Sequence, residues 1–310
     1  MSLAEPMTLP ERADSANGGE PSAAAGRRLP RLTQARAALT CEVAVTNEFG
    51  VAGSVSIPAE RDLTVYVDKR ELVTLMTLGG HPEWLVLGYL LNQRLVASVD
   101  DIESITVDWD VGAASVKTRH GIHRIEDRTA HKVVTTGCGQ GSVFGHLMDD
   151  VDSIRLPADA VLRQSSLYDI VNTIRLRDTT YKVAGSVHAC ALFVGGELQF
   201  FVEDVGRHNA VDTIAGWMSM QDRLPDGEKV FYTTGRLTSE MVIKSAQMGV
   251  PVVISRSGIT QMGLEVAQRV GLCAIGRATH RRFLCYSHAQ RIVFDAVPTP
   301  LGVAPVAAVA

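Results

Sequence analysis

Polar and apolar positions divide the chain into regimes of different rhythm. Up to about residue 38 the sequence is rich in Ala, Ser, Gly, Pro and Glu without a sustained apolar period, which reads as a disordered leader. Arg27, Arg28, Arg31 and Arg36 give this leader a basic cluster, either a solvated tail or a docking arm for an acidic partner. From Cys41 the pattern turns strand-like: Glu42–Val45 and Leu63–Val67 alternate or run apolar, with Gly50, Gly53 and Pro58 between them. Pro82 then stands at a first-turn position ahead of Glu83–Leu91, which is apolar on nearly every face and so predicts a buried helix. Short strands at Ile105–Trp109 and Ala114–Thr118, with an apolar stretch ending at His131–Thr136, complete a small α+β domain over residues 39–136.

Strands and helices alternate after that, over residues 137–298, before a tail at 299–310. A helix starting near Ser166 repeats apolar residues at Leu167, Ile170, Val171 and Ile174, and the strand Val187–Val194 follows it. Gly195 and Gly196 form a two-residue hairpin signal before Leu198–Val202. Three strand-loop-helix units come next: the Phe201 region into Asn209–Met218, Val230–Tyr232 into Ser239–Met248, and Val252–Ile254 into Met262–Val270. Gly249 and Gly271 fall where helices should end. This alternation predicts a layered α/β domain with helices packed against a mainly parallel sheet.

Composition narrows the function classes. A length of 310 residues favours two domains, and 46% apolar with 21% charged residues is ordinary for a globular chain. A formal net charge of -4 offers no global attraction to nucleic acid or to an anionic membrane, so any anion site is local. The apolar stretch Ala296–Ala310 is interrupted by Pro298, Pro300 and Pro305, and Arg27-Arg28 lacks the apolar run of a twin-arginine signal. Five scattered cysteines suit a reducing compartment, and the expected location is cytoplasmic.

In open α/β sheets ligands bind beyond the carboxyl ends of the strands. Four such exits, Glu203–Asn209, Thr234–Glu240, Ser255–Gly258 and Gly276–Arg282, each hold an arginine, a glycine and small polar donors. Those residue types suit a phosphorylated ligand, expected to be a nucleotide. Ordinary structural roles compete for the same residues. Asn209 with Asp212 can be a plain helix N-cap followed by an acid, and Glu240 with Lys244 an i,i+4 pair on a helix surface. His188, on an apolar strand, can be a core histidine.

Gly137–Ser142 is the most unusual segment: Cys138 stands between glycines at a strand exit, as a reactive or carrier thiol would, although a glycine-rich loop with an incidental cysteine is the alternative. Cys190, Cys273 and Cys285 lie in apolar strands and read as core, as does Cys41. No C-x-x-C and no P-loop are present, and His188-Ala189-Cys190 lacks the Glu of a zinc deaminase.

These segments resemble the FdhD family, the sulfurtransferases required to activate formate dehydrogenase. The likeness runs from about residue 40 to 292 and is carried by Glu203–Asp212, Gly185–Ala189, Gly235-Arg236, Ser239–Val242 with Lys244, and Thr136–Gly139. It implies a cytidine-deaminase-like layered α/β core without the zinc site, a smaller N-terminal α+β domain, and a homodimer. It also implies that Cys138 accepts persulfide sulfur from a cysteine desulfurase. The sulfur then passes to the bis(molybdopterin guanine dinucleotide) molybdenum cofactor, which is cargo for the formate dehydrogenase catalytic subunit.

On that reading Arg277, Ala278, Thr279, His280, Arg281 and Arg282 form the cofactor-binding segment. Arg207, His208, Asn209, Asp212, Gly235, Arg236, Ser239, Glu240, Lys244 and Ser255 line the guanine dinucleotide arms, with Asp212 or Glu240 at the guanine edge. Departures from the family pattern are Gly141 where many members have a second cysteine, Thr213 after the Asp, and the sequence of residues 277–282. The competing function is a non-covalent chaperone that delivers the cofactor without sulfur chemistry.

Overall fold

The structure is a computed structural model that describes residues 28–122, 133–134, 141–142 and 151–298. Its first unit is a five-stranded sheet in the order β1-β6-β7-β4-β5. These strands are β1 (Arg31–Leu32), β4 (Arg61–Val67), β5 (Arg70–Thr77), β6 (Ile102–Asp108) and β7 (Ala113–Thr118). Strand β5 has no counterpart in the sequence reading. It follows a two-residue turn at Asp68 and Lys69 with φ of 47° and 73°, a left-handed conformation that Asn-Gly would have advertised and Asp-Lys does not. The Asp68 carboxylate holds the turn by accepting from Thr118 N at 2.9 Å and Thr118 Oγ1 at 2.6 Å.

Two further expectations change here. Residues 31–32, assigned above to a disordered leader, pair in parallel with β6. Just beyond them Thr33 Oγ1 and Ala35 N both donate to Glu83 Oε1 at 2.6 Å, so the chain is anchored before residue 39. Strands β2 (Thr40–Thr46) and β3 (Ala52–Pro58) do not join the main sheet but form a separate antiparallel hairpin. Its register puts Cys41, Val43, Val45, Val55 and Ile57 on one face. Cys41 is exposed rather than core, because nothing among the described residues covers that face fully.

The second unit is a six-stranded sheet in the order β12-β11-β13-β14-β15-β16. The ranges are β11 (His188–Val194), β12 (Glu197–Asp204), β13 (Lys229–Thr233), β14 (Val252–Ser255), β15 (Cys273–Thr279) and β16 (Arg282–Ser287). Only β13, β14 and β15 are mutually parallel; β11 runs against both its neighbours and β16 against β15. The sheet is therefore mixed, not mainly parallel. Gly195 and Gly196, at φ of 58° and 88°, turn β11 back into an edge hairpin, so the helix expected after Phe201 serves a strand that entered from outside.

Alternation along the strands sends side chains to two cores. On one face Leu192, Phe231, Val253 and Ala274 pack against α4 (Arg207–Met220), α5 (Ser239–Gln247) and α6 (Gln261–Val270). On the other, Phe193, Tyr232, Ile254 and Ile275 pack against Leu167, Ile170, Val171 and Ile174 of α2 (Gln164–Leu176). Gly271 caps α6 in the left-handed region at φ 76°, and Gly249, at φ 67°, follows the end of α5, both as expected. Short strands β10 (Leu162–Arg163) and β17 (Ile292–Val293) pair beside α2, and β8 (Val133–Val134) pairs with β9 (Gly141–Ser142).

Among the described residues the units meet mainly along one seam. Helix α1 (Pro82–Asn92) buries one side in the five-stranded unit and lays the other on α4, which is why its sequence is apolar all round. The backbones touch where they cross. A Cβ at Gly88 would lie 1.7 Å from Asp212 O, and one at Gly216 would lie 1.9 Å from Trp84 O. No helix among the described residues is long and apolar enough to cross a membrane.

Candidate functional site

The strand directions bring all four expected exits to one edge. Parallel β13, β14 and β15 deliver Thr234, Arg256 and Arg277 side by side, while antiparallel β11 brings His188 opposite Asp204 of β12 at the same edge. Backbone and hydroxyl contacts tie the exits together. Thr234 N donates to Ala189 O at 2.9 Å, Ser257 Oγ to Thr234 O at 2.9 Å, and Arg277 N to Ser257 O at 2.8 Å.

On the α2 face this edge opens into a cavity of about 560 Å³. Its floor and walls are Val171, Ile174, Phe201 and Tyr232; its rim carries Arg175, Lys182, His188, Arg256 and His280. One wall is α3 (Thr179-capped Thr180–Ala184), a helix too short to show any periodicity in the sequence. The Glu203 carboxylate fixes it by accepting from Thr180 N at 2.6 Å and Tyr181 N at 3.1 Å, which satisfies amides of the helix start. The Arg256 guanidinium lies 5.6 Å over the Tyr181 ring. Burial and then the Arg207 and Arg236 guanidiniums push the His188 pKa down, so its imidazole is neutral at pH 7.

A second depression, about 680 Å³, lies beside the β15–β16 hairpin and is lined by Arg277, Arg281 and Arg282 with Gln164, Tyr168 and Phe283. Thr279 borders both spaces. Arg277 and His280 each take φ of 52°, at a bulge in β15 and in the hairpin turn, so residues 277–282 are strand, turn and strand rather than a free loop. Of the expected binding segment, Ala278, Thr279 and His280 line the cavity; Arg277, Thr279, Arg281 and Arg282 line the depression.

The other face of the same edge is closed. Asp204 Oδ2 accepts from Thr77 Oγ1 at 2.5 Å and Leu78 N at 3.3 Å, and Oδ1 from Asn209 Nδ2 at 2.8 Å and Gly206 N at 3.2 Å. Burial raises its pKa to about 6 against these four hydrogen bonds. Asn209 is not the N-cap of α4, which is Gly206; from the first turn its Nδ2 also donates to Met76 O at 2.6 Å, reaching across to β5. Asp212, 0% exposed, accepts from Asn92 Nδ2 of α1 at 2.6 Å and Lys244 Nζ at 2.9 Å.

Glu240 and Lys244 are an i,i+4 pair, but a buried one: Lys244 Nζ lies 3.2 Å from Glu240 Oε1, and Glu240 Oε2 lies 3.4 Å from His208 Nε2. Burial alone would lower the Lys244 pKa, yet the flanking Asp212 and Glu240 carboxylates raise it and hold the ammonium charged. Burial pushes His208 down to about 3, which keeps it neutral. Asp212 and Glu240, expected at a guanine edge, are sealed beneath the helices.

The remaining expected contacts divide the same way. Ser255 Oγ donates to Gly235 O at 2.7 Å and accepts from Ser257 N at 2.9 Å, so its hydroxyl is spent on holding two exits together. Gly235 is required by Arg207: a Cβ there would fall 2.8 Å from the Arg207 Cδ of a buried side chain. Ser239 is buried at the start of α5, whereas Arg236 is exposed. Cys138 lies outside the described residues. Among those described, no group of three or more His, Cys, Asp or Glu side chains is arranged to hold a metal ion.

Sequence reasoning missed Arg175, Tyr181 and Lys182, which come from α2 and α3 rather than from a strand exit. The Thr179 cap and Gly185, at φ 67°, were the available signals for α3.

A family model described as the FdhD/NarQ family matches residues 58–293, which takes in the six-stranded sheet and all of the five-stranded sheet but β1, and begins at the end of β3. A protein named sulfur carrier protein FdhD from Bacillus pumilus is 30% identical over 239 residues, covering 75% of this chain and 88% of its own length. One of the same name from Saccharolobus solfataricus is 29% identical, covering 74% and 86%. The crystal structure of a putative formate dehydrogenase accessory protein from Desulfotalea psychrophila matches the fold with a TM-score of 0.65 at 24% identity, over 82% of this chain and 98% of that one. With the match running through both units and the seam between them, the chain belongs to the FdhD/NarQ family.

Proposed function

We propose that this chain is a sulfur carrier and transferase that accepts a persulfide sulfur on Cys138 and passes it to bis(molybdopterin guanine dinucleotide) molybdenum cofactor, activating formate dehydrogenase. The observation that carries the reading is the cavity at the shared strand edge: apolar and aromatic walls at Phe201, Tyr181 and Tyr232 under a rim of Arg175, Lys182 and Arg256. Such walls suit a flat heterocycle, and such a rim suits the phosphates attached to it. The names of the curated relatives supply the sulfur, and the name of the structural neighbour supplies the target enzyme.

The chemistry at the thiol is an exchange. The Cys138 thiolate attacks the outer sulfur of a cysteine desulfurase persulfide, the desulfurase thiolate leaves, and Cys138 holds the persulfide. Gly141 stands where a second thiol would close a disulfide with Cys138, so the carrier works through one sulfur in this loop. The cargo's guanine dinucleotide occupies the cavity as substrate, with Arg277, Arg281 and Arg282 meeting negative charge that extends past Thr279. The strand order, with an antiparallel edge hairpin beside three parallel strands, supports a cytidine-deaminase-like core, and we assign the working form as a cytoplasmic homodimer.

Intact-protein mass spectrometry after incubation with a cysteine desulfurase and L-cysteine tests the reading. A dithiothreitol-reversible gain of one sulfur on the wild type and not on Cys138→Ala is expected. The cationic rim alone favours a second reading, a chaperone that holds the cofactor non-covalently. It requires that Cys138→Ala still activate formate dehydrogenase while Arg256→Ala does not.

A further inference from the structure

Cys273 and Cys285 belong to neighbouring antiparallel strands, and the register sets Cys285 opposite Ile275, one diagonal step from Cys273. Both side chains lie on the α2 face of the sheet, and their Sγ atoms are 3.8 Å apart. Cys273 is fully buried, while Cys285 sits part-exposed on β16, the edge strand. The two sulfurs are in hydrogen-bond contact, and Cys285 Sγ also lies 3.3 Å from Ser287 O; the contact between the thiols draws the Cys285 pKa down and drives that of Cys273 up. Nothing in the sulfur-carrying role of Cys138 uses them.

From this pairing we infer that Cys273 and Cys285 are a redox-active dithiol that low-molecular-weight disulfides convert to an intrachain disulfide. Cys285, the more exposed of the two, loses its proton to solvent and attacks as the thiolate; it forms a mixed disulfide with half of the oxidant and releases the other half as a thiolate. Cys273 then gives its proton to solvent, its sulfur displaces the second half from Cys285, and the protein bond closes. Two protein thiols are oxidised and one disulfide is reduced to two thiols, so electrons and protons balance. Closure asks the two Sγ atoms to approach by about 1.8 Å to reach the 2.05 Å bond, within reach of side-chain rotation. The inference stands apart from the function proposed above and survives its failure.

The test equilibrates the full-length protein in glutathione buffers of increasing oxidised fraction, quenches in acid, alkylates after unfolding and maps peptides without reduction. The expected product is a Cys273–Cys285 cross-linked peptide in the wild type with complete loss of alkylatable Cys273. Cys285→Ser must leave Cys273 alkylatable, and Cys273→Ser must leave Cys285 carrying a stable glutathionyl group that the wild type resolves. Exposed Cys41 reports that the oxidant works. Glutathionylated Cys41 beside fully alkylated Cys273 and Cys285, or a cross-link from Cys273 to any other cysteine, overturns the inference.

Discussion

One sheet edge supports two regions built from the same residue types with opposite outcomes. On the α4–α5 face, Asp204, His208, Asp212, Glu240 and Lys244 are closed over: Asp204 bonds to β5, Asp212 to α1 and Lys244, and Lys244 to Glu240, while His208 Nε2 and Glu240 Oε2 face each other at 3.4 Å without a hydrogen bond. On the α2 face, Arg175, Lys182 and Arg256 line open space and are held more loosely, Arg175 donating to Asn172 on its own helix, Lys182 to Leu176 O, and Arg256 lying over the Tyr181 ring. Charges with protein partners in a dry interior are framework, because each is stabilised by a group that would otherwise be stranded. Charges around a cavity keep their capacity for a ligand. The ten-residue signature Glu203–Asp212 therefore works mainly as the clasp that fixes the cavity wall, with Glu203 pinning α3 and Asp204 pinning β5.

The contrast breaks first at Lys244. Replacing it with Met leaves the Asp212 and Glu240 carboxylates buried without their cation, at an expected cost of about 3–5 kcal/mol in urea unfolding; an unchanged midpoint would return these residues to the ligand. Next is the seam, where Gly88→Ala forces a methyl onto Asp212 O and should cost about 3 kcal/mol by the same measurement.

His208 sharpens the comparison through pH. Its folded pKa of about 3 lies below the 6.5 of the unfolded chain, so on acidification the unfolded state takes the proton first. Stability from this group is complete above pH 6.5 and drains as pH falls towards 3, by about 2 kcal/mol at pH 5 at roughly 1.4 kcal/mol per pH unit. Asp204, raised to about 6, works in the other direction between pH 4 and 6, so the comparison is between wild type and His208→Gln, which should lose the His208 part of the slope. Smallest in free energy is Arg256→Ala: calorimetry with GDP should show affinity down about tenfold, or about 1.4 kcal/mol, with the urea midpoint unchanged.

Much of the frame was legible because local chemistry announces it. Pro82 opened α1, the Gly195-Gly196 pair turned β11 into β12, and Gly271 ended α6. Strand direction was not legible: apolar runs such as His188–Val194 and Val252–Ser255 look alike whichever way the neighbour runs. Strand β5 hid behind a turn of Asp68 and Lys69, and β1 was too short to show a period. In the site, the exits were found and do share an edge, yet polarity in a sequence does not say whether a charge will face a helix or a void. Glu240 and Lys244 could be placed on one helix face, but not beneath Asp212 of another.

The glycine crossing of α1 and α4 has a consequence for the order of events during synthesis. The strands and helix of the first unit leave the ribosome well before Gly216, with roughly 120 residues between the end of α1 and its partner position. At about 5–20 residues per second, α1 waits on the order of ten seconds with its crossing residues Trp84 and Gly88 uncovered. Until Gly216 emerges α1 has no helix to lie on, so the seam closes only after α4 has been synthesised.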